Sequence, residues 1–216
     1  MEKKKVVLKS SHPSDYPDLV VECRVIPNDK IGEYLSTISD DKKFYAHKSE
    51  SVSARRGVPG EKIKTTLKTY VDGKEYILSE EENTVQERTY KDTTMPDVVV
   101  TNDRSTSNEK YIVKFQKFVD TYDIIVDENF HERYVPKKDS RLVTKINENV
   151  IIMTSWGEPA VCLAGGFIVT YDEVSNDYNT IEQGAFDSTY EIEEQKKRWI
   201  KKIVLTNILY SIKIYL

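Results

Sequence analysis

From residue 150 to residue 190 the chain alternates short β-branched or aromatic runs with turn residues. The stretch "NVIIMTSWGEPAVCLAGGFIVTY" reads strand, turn at Trp156-Gly157, strand, turn at Gly165-Gly166, strand. Tyr178 to Ile181 adds a further strand, and Phe186 and Tyr190 in "GAFDSTY" stand at i, i+4, the separation at which side chains meet on one helical turn. Such a pattern commits the region to small antiparallel sheets, each burying one face beneath a helical turn.

The same order of elements occurs earlier. Tyr122, Phe130 and Tyr134 recur 56 residues on as Tyr178, Phe186 and Tyr190, and Tyr111-Ile112-Val113 recurs at the same interval as Phe167-Ile168-Val169. Upstream, "VVVT" at 98–101 matches "IIMT" at 151–154 with a shift of 53. The expectation is an internal duplication whose aromatics form the skeleton of two related modules. A fainter echo lies at 60–90.

In the N-terminal part, "DLVVECRVI" between Pro17 and Pro27 is a strand. Ile31, Tyr34, Leu35 and Ile38 then mark one face of a short helix, with Asn28 or Asp29 as its N-cap. Residues 39–62 are polar and read as a long loop. "IKTTLKTYV", Asp72-Gly73 and "KEYIL" form a hairpin, and the acidic stretch 79–97 reads as a short helix or loop. "VVV" at 98–100, "YIVKFQKFV" at 111–119 and Tyr122 to Val126 are strands, and "DENFHERY" is a helical turn ended by Pro136.

The expected fold is therefore α+β: mainly antiparallel β modules, internally duplicated, with short helices and a C-terminal helix. Its parts are an N-terminal α+β region, 1–92; the duplicated modules, 93–192, at 98–134 and 151–190; and a C-terminal helix or tail, 193–216. In the last part "YEIEEQKKRWIKK" is a charged helix, whereas "IVLTNILYSIKIYL" is apolar nearly all round and too interrupted for a membrane span. It fits a packed helix supporting self-association, a strand, or an interface for a second copy.

A formal charge of −4, from 36 acidic against 32 basic side chains, supplies no overall positive field, which argues against general nucleic-acid binding. The two cysteines, Cys23 and Cys162, lie in apolar runs and read as buried thiols rather than a disulfide framework. The absence of an apolar run after "MEKKKVVLKSS" leads to the expectation of a cytoplasmic protein of a bacterial host cell, with no membrane span.

Two segments resemble a family of small phage and prophage proteins. "LVVECRVI…IGEYLSTI" is similar to their Val-Glu-Ala opening strand and helix. Gly166-Phe167-Ile168-Val169 stands where they have a Gly-Asp-Tyr-Ile-Ile strand, and Phe186, Thr189, Tyr190 and Glu191 match their Phe-x-x-Thr-Tyr-Glu ending. The likeness covers roughly residues 18–38 and 150–192, and implies a genomic context and a fold but no reaction. Where the family carries Tyr-Pro-Cys-Lys-Pro, this chain has "YNTIEQG".

Chemistry is sparse. His12 and His47 sit in polar stretches and are expected to be solvated. Asp127 and His131 would share a helical face, yet a divalent metal needs three or four ligands, so no metal site and no cofactor is assigned. No G-x-S-x-G or G-x-x-x-x-G-K-[ST] motif occurs. The candidate ligand-binding residues are Arg55, Arg56 and Lys62 in "RRGVPGEK", which suit an anion, and Trp156 with Glu158 on a tight turn. The expected function is a non-enzymatic phage or prophage binding or interaction protein that blocks or sequesters a host protein, other host factor or small anionic ligand. It is also expected to form a homo-oligomer through its C-terminus. The alternatives are an enzyme acting on a phosphorylated small molecule, with Asp127 or Glu158 as base, and a virion or structural component.

Overall fold

The computed structural model describes residues 2–103, 109–126, 132–154, 157–172 and 177–193. The strands β1 (Lys3–Ser10) and β2 (Leu19–Val25) pair antiparallel. α1 (Ile31–Ser36) follows and buries Ile31, Tyr34 and Leu35, the face expected from their spacing. Lys30, rather than Asn28 or Asp29, stands at its N-cap, because Asn28–Lys30 forms a preceding 3-10 turn.

Next come β3 (Lys43–Lys48), β4 (Ser53–Arg56), β5 (Lys62–Val71), β6 (Lys74–Thr84), β7 (Glu87–Tyr90), β8 (Thr93–Pro96), β9 (Val98–Thr101) and β10 (Lys110–Val113). They are followed by α2 (Phe115–Thr121), β11 (Tyr122–Val126), β12 (Glu132–Pro136), β13 (Arg141–Lys145), β14 (Val150–Met153) and β15 (Pro159–Cys162). β16 (Phe167–Asp172), β17 (Asp177–Ile181), α3 (Gln183–Thr189) and β18 (Tyr190–Ile192) complete the described chain. Among the described residues the protein is mainly β, with several mostly antiparallel sheets and three short α-helices.

The strands expected at 150–181 are present, and so is the hairpin at Asp72-Gly73, where φ values of 51° and 74° meet the demand of a type I′ turn. Other expectations need correction. The polar stretch 39–62 contains β3 and β4, because sheet neighbours supply the hydrogen bonds and cover that its polar side chains do not advertise. The acidic stretch 79–97 holds the end of β6 and the β7–β8 hairpin, with Lys91 and Asp92 at positive φ in its turn. Residues 111–119 are a strand only to Val113; Phe115–Thr121 is helix, and buries Phe118. Tyr134, expected on a helical turn, lies in β12, while Asp127, Phe130 and His131 lie outside the described residues.

Positions related by the interval of 56 are not equivalent in the fold. Tyr111 lies on β10, paired to β9, whereas Phe167 lies on β16, between β13 and β17. Tyr122 begins β11, whereas Tyr178 lies on β17. A different correspondence runs through the pairing registers. One sheet has the order β17-β16-β13-β3-β18. The other has the order β10-β9-β4, and its β4 edge meets the β12–β11 pair through the Val52–Tyr134 bridge. Both therefore run, by successive antiparallel neighbours, through five strands in like order.

The match extends to individual residues. Val98 faces Val113 and Arg56 in one sheet; Phe167 faces Ile181 and Lys145 in the other. Val52 faces Tyr134 as Arg141 faces Ala46. Each sheet carries a seven-residue helix ending in Phe-x-x-Thr-Tyr, "FVDTY" at 118–122 and "FDSTY" at 186–190. The cores coincide as well: Phe118 packs on Val98, Val100 and Tyr122, and Phe186 on Phe167, Val169 and Tyr190. Along the chain β3 precedes β4, yet β3 joins the sheet of β13, and β12, which precedes β13, joins the sheet edge of β4. β3 thus pairs with β13, and β12 bridges to Val52 beside β4, so each reaches past its nearest neighbour in the chain. A boundary at residue 92 would run through the β7–β8 hairpin and separate β3 from β13, β4 from β9 and β2 from β14.

Apart from the two-stranded β7–β8 hairpin, the further sheet has the order β15-β14-β2-β1-β6-β5, with a parallel β14–β2 pair. Its two edge strands, β15 and β5, line one cavity. The sheet must therefore curl until its ends face each other, as the right-handed twist of strands permits.

Candidate functional site

The cavity inside the curled sheet has a volume of about 290 Å³. Val21 on β2, Leu78 on β6, Val161 on β15 and Ile181 at the end of β17 give it apolar walls. The turn Leu163–Gly166 and the start of α3 close one side. Gly165 takes φ +94°, and a Cβ there would stand 2.8 Å from the Gln183 side-chain oxygen, so the turn is shaped around the cavity's own amide.

Glu182 is the one carboxylate joining the wall to the helix. Its Oε2 accepts the Ala185 backbone N–H at 3.0 Å, capping α3, and its Oε1 accepts the hydroxyl of buried Thr69 at 3.3 Å. Two bonds on a group with about four acceptor positions leave it able to accept more. Asn149 braces the turn, taking the Ala164 N–H at 2.9 Å and donating to the Glu22 carbonyl at 3.3 Å.

Cys162 also borders the cavity, but its thiol is buried, donates to the Phe167 carbonyl at 3.5 Å, and has its pKa pushed up to about 12 by burial and then by Glu182. A thiol so placed stays protonated at neutral pH and is a poor nucleophile. The cavity thus combines apolar surface with a fixed hydrogen-bond acceptor, an arrangement that binds and orients.

The residues expected from sequence lie elsewhere. Arg55 ends its fork on Glu61, with one N–O distance of 2.9 Å, and the Val58 N–H adds a third donor at 3.1 Å. Glu61 is held at a pKa of about 2, chiefly by the Arg55 bond. The Arg55 fork and the Val58 N–H of this loop are engaged by the chain's own Glu61 carboxylate. Arg56 is exposed at the end of β4, and Lys62 pairs with Glu82 across the β5–β6 hairpin at 2.7 Å. Glu158 is exposed on the β14–β15 turn, where its backbone closes on Thr154. Trp156, Asp127 and His131 lie outside the described residues.

His47, expected to be solvated, is instead buried on β3, with Glu193 at 3.4 Å and Glu191 at 3.6 Å, because β18 pairs over it. Where the two sheets approach, the Tyr111 and Tyr122 hydroxyls are 3.2 Å apart and Lys48 donates to Tyr111 at 3.4 Å. Burial raises the Tyr111 pKa, so its hydroxyl stays protonated in this hydrogen-bonded joint between sheets. Among the described residues no group of three His, Cys, Asp or Glu side chains is arranged to hold a metal ion, and no helix is long and apolar enough to cross a membrane.

Thr69, Glu182 and Gln183 carry no sequence motif. The hint of Glu182 was its place three residues before Ala185 at the start of an aromatic helical turn, the position of an N-cap. No family model, curated protein or solved structure matches the chain.

Proposed function

We propose that the protein is a non-catalytic binding protein of phage or prophage origin, built from an internally duplicated β module. Its site is the cavity in the curled sheet, and it sequesters a small, mainly apolar ligand that presents an amine or hydroxyl to Glu182. The observation that carries this reading is the pairing of apolar walls with a doubly anchored carboxylate, Glu182, whose acceptor capacity is not exhausted; Asp72 also lines the cavity, on the β5–β6 turn. A nucleophile activated by a neighbouring base would favour catalysis, whereas the one thiol at the cavity is driven toward its protonated form.

The matching pairing registers of the two five-strand orders support duplication, with β3 and β12 exchanged between the copies. The phage reading is supported by the resemblance at 18–38 and 150–192, whose residues Val21 and Gly166 line the cavity. The wall departs from that family at "YNTIEQG", where Ile181, Glu182 and Gln183 stand, so the ligand is specific to this chain's own variation.

The test is a matched pair of probes, n-hexylamine and n-hexane-1-thiol methyl ether, titrated by protein-observed NMR. Hexylamine is expected to shift the Thr69, Ala164 and Gln183 amides, and the ether to bind more weakly. Glu182→Gln should remove that preference, and Ala164→Trp should block both. Equal binding of both probes by the native protein, or shifts confined to the Arg55 loop, would overturn the reading.

A further inference from the structure

The charged side chains that line the cavity are both acidic: half-buried Glu182 at the start of α3 and exposed Asp72 on the β5–β6 turn. Neither lysine, arginine nor histidine lines it. A ligand that carries negative charge would meet like charge there, and one that carries positive charge meets its complement.

Asp72 has its whole acceptor capacity to spare. Among the described residues its carboxylate has no hydrogen-bond or ion-pair partner. The nearby acid Glu75 is held by Tyr70 and Lys68, and Lys74, just beyond the turn, lies over the Tyr16 ring at 5.7 Å from its centre rather than on Asp72. The turn does not account for the charge either. At φ 51° the position asks for a residue tolerant of positive φ, and asparagine meets that demand as well as aspartate.

The spacing of the two acids sets a length. Thr69, whose hydroxyl Glu182 accepts at 3.3 Å, stands three residues before Asp72 along β5 and its turn, about 10 Å of extended chain. A six-carbon spacer holds two terminal ammonium groups about 9 Å apart. Val71, between Thr69 and Asp72 in the chain, lines the cavity together with Leu78 and Val161, which suits a spacer without polar groups.

We propose that the cavity takes linear aliphatic diamines, one ammonium group on Glu182, the other on Asp72, and the spacer against the apolar walls. This rests on the reading of Glu182 given above and adds to it the charge of the ligand and a second anchor.

The test compares hexane-1,6-diamine with n-hexylamine, equal in carbon chain and charged at neutral pH as lysine is, and with hexane-1,6-diol, by protein-observed NMR at low salt. The two equal ends of the diamine alone give it a twofold advantage over hexylamine. A second ion pair at an exposed acid should raise that to about fivefold, and salt should lower it again. The diamine should shift the Asp72 and Gly73 amides, which hexylamine should leave in place, and the diol should bind more weakly than either amine. Asp72→Asn, which keeps the turn, should return the ratio to about twofold, while Glu80→Gln, a neutralised acid of β6 that does not line the cavity, should leave it at the native value.

A native ratio of twofold or less, with hexylamine still bound, would overturn the diamine proposal and leave the Glu182 reading standing. So would a fivefold ratio that survives Asp72→Asn, or one that Glu80→Gln lowers equally, which would reduce the effect to general attraction by an acidic chain. Failure of hexylamine itself to bind would overturn both.

Discussion

Phe186 lies flat against Tyr190, with ring centroids 5.2 Å apart and planes at 9°, and Phe118 lies against Tyr122 in the same way, at 5.0 Å and 26°. In each case the tyrosine is the first strand residue after a seven-residue helix, so the stack fixes the angle at which the helix gives way to the edge strand.

Phe186→Ala and Phe118→Ala are each expected to lower stability by about 3–5 kcal/mol, as deletion of a buried aromatic does. Urea denaturation followed by circular dichroism measures this. If the stack orients the edge strand, Phe186→Leu should cost less globally yet loosen β18, seen as faster exchange of the Glu191 and Ile192 amides.

Glu182→Ala removes an N-cap and is expected to cost about 0.5–2 kcal/mol. Glu182→Asp is expected to keep the cap, since Asp is a favoured N-cap residue, but to weaken ligand binding, because the shorter side chain withdraws from Thr69. Denaturant midpoints for both variants, set beside hexylamine titrations, check the two effects separately.

Stability should fall on acidification partly through Glu75. Its carboxylate accepts the Tyr70 hydroxyl at 2.7 Å and pairs with Lys68 at 2.9 Å, and these bonds, the Tyr70 bond foremost, hold its pKa at about 2 against an ordinary 4.5. A depressed folded-state value means that the contribution is complete above the unfolded value and is lost as the pH falls from about 4.5 toward 2. Urea midpoints measured between pH 2 and 6 should therefore decline less steeply in Glu75→Gln than in the native protein, and Tyr70→Phe should lie between them.

Cys162 should resist iodoacetamide at pH 8 in the native protein, since burial holds its thiol protonated, and should react readily in urea. Peptide mass spectrometry of the alkylated protein distinguishes it from Cys23, whose thiol is also buried and raised. Rapid native alkylation of Cys162 would show that the cavity opens to reagents, and hence that its thiol is available for chemistry.

Much of the fold was legible locally. The Asp72-Gly73 hairpin, the strands around Gly157 and Gly165 and the apolar face of α1 each depend on neighbours in the chain, so turn chemistry and periodicity revealed them. Sheet membership was not legible from aromatic spacing: Tyr122 and Tyr178 stand 56 residues apart, yet Tyr122 pairs within β11–β12 and Tyr178 within β16–β17, because a ring recurs wherever a sheet needs cover and does not record which sheet it covers.

The amino-acid sequence by itself determined the strand-rich character, the turns and the helical turn from Phe186 to Tyr190, all of which arise from interactions a few residues long. Only the tertiary structure decided that β3 pairs with β13 and that Val52 bridges to Tyr134 of β12, that Glu61 fills the arginine loop, and that Val21, Thr69, Val161 and Glu182 surround one cavity. Those outcomes depend on contacts between residues far apart in the chain, such as Thr69 and Glu182, 113 positions apart, and such contacts leave no periodic trace in the chain that makes them.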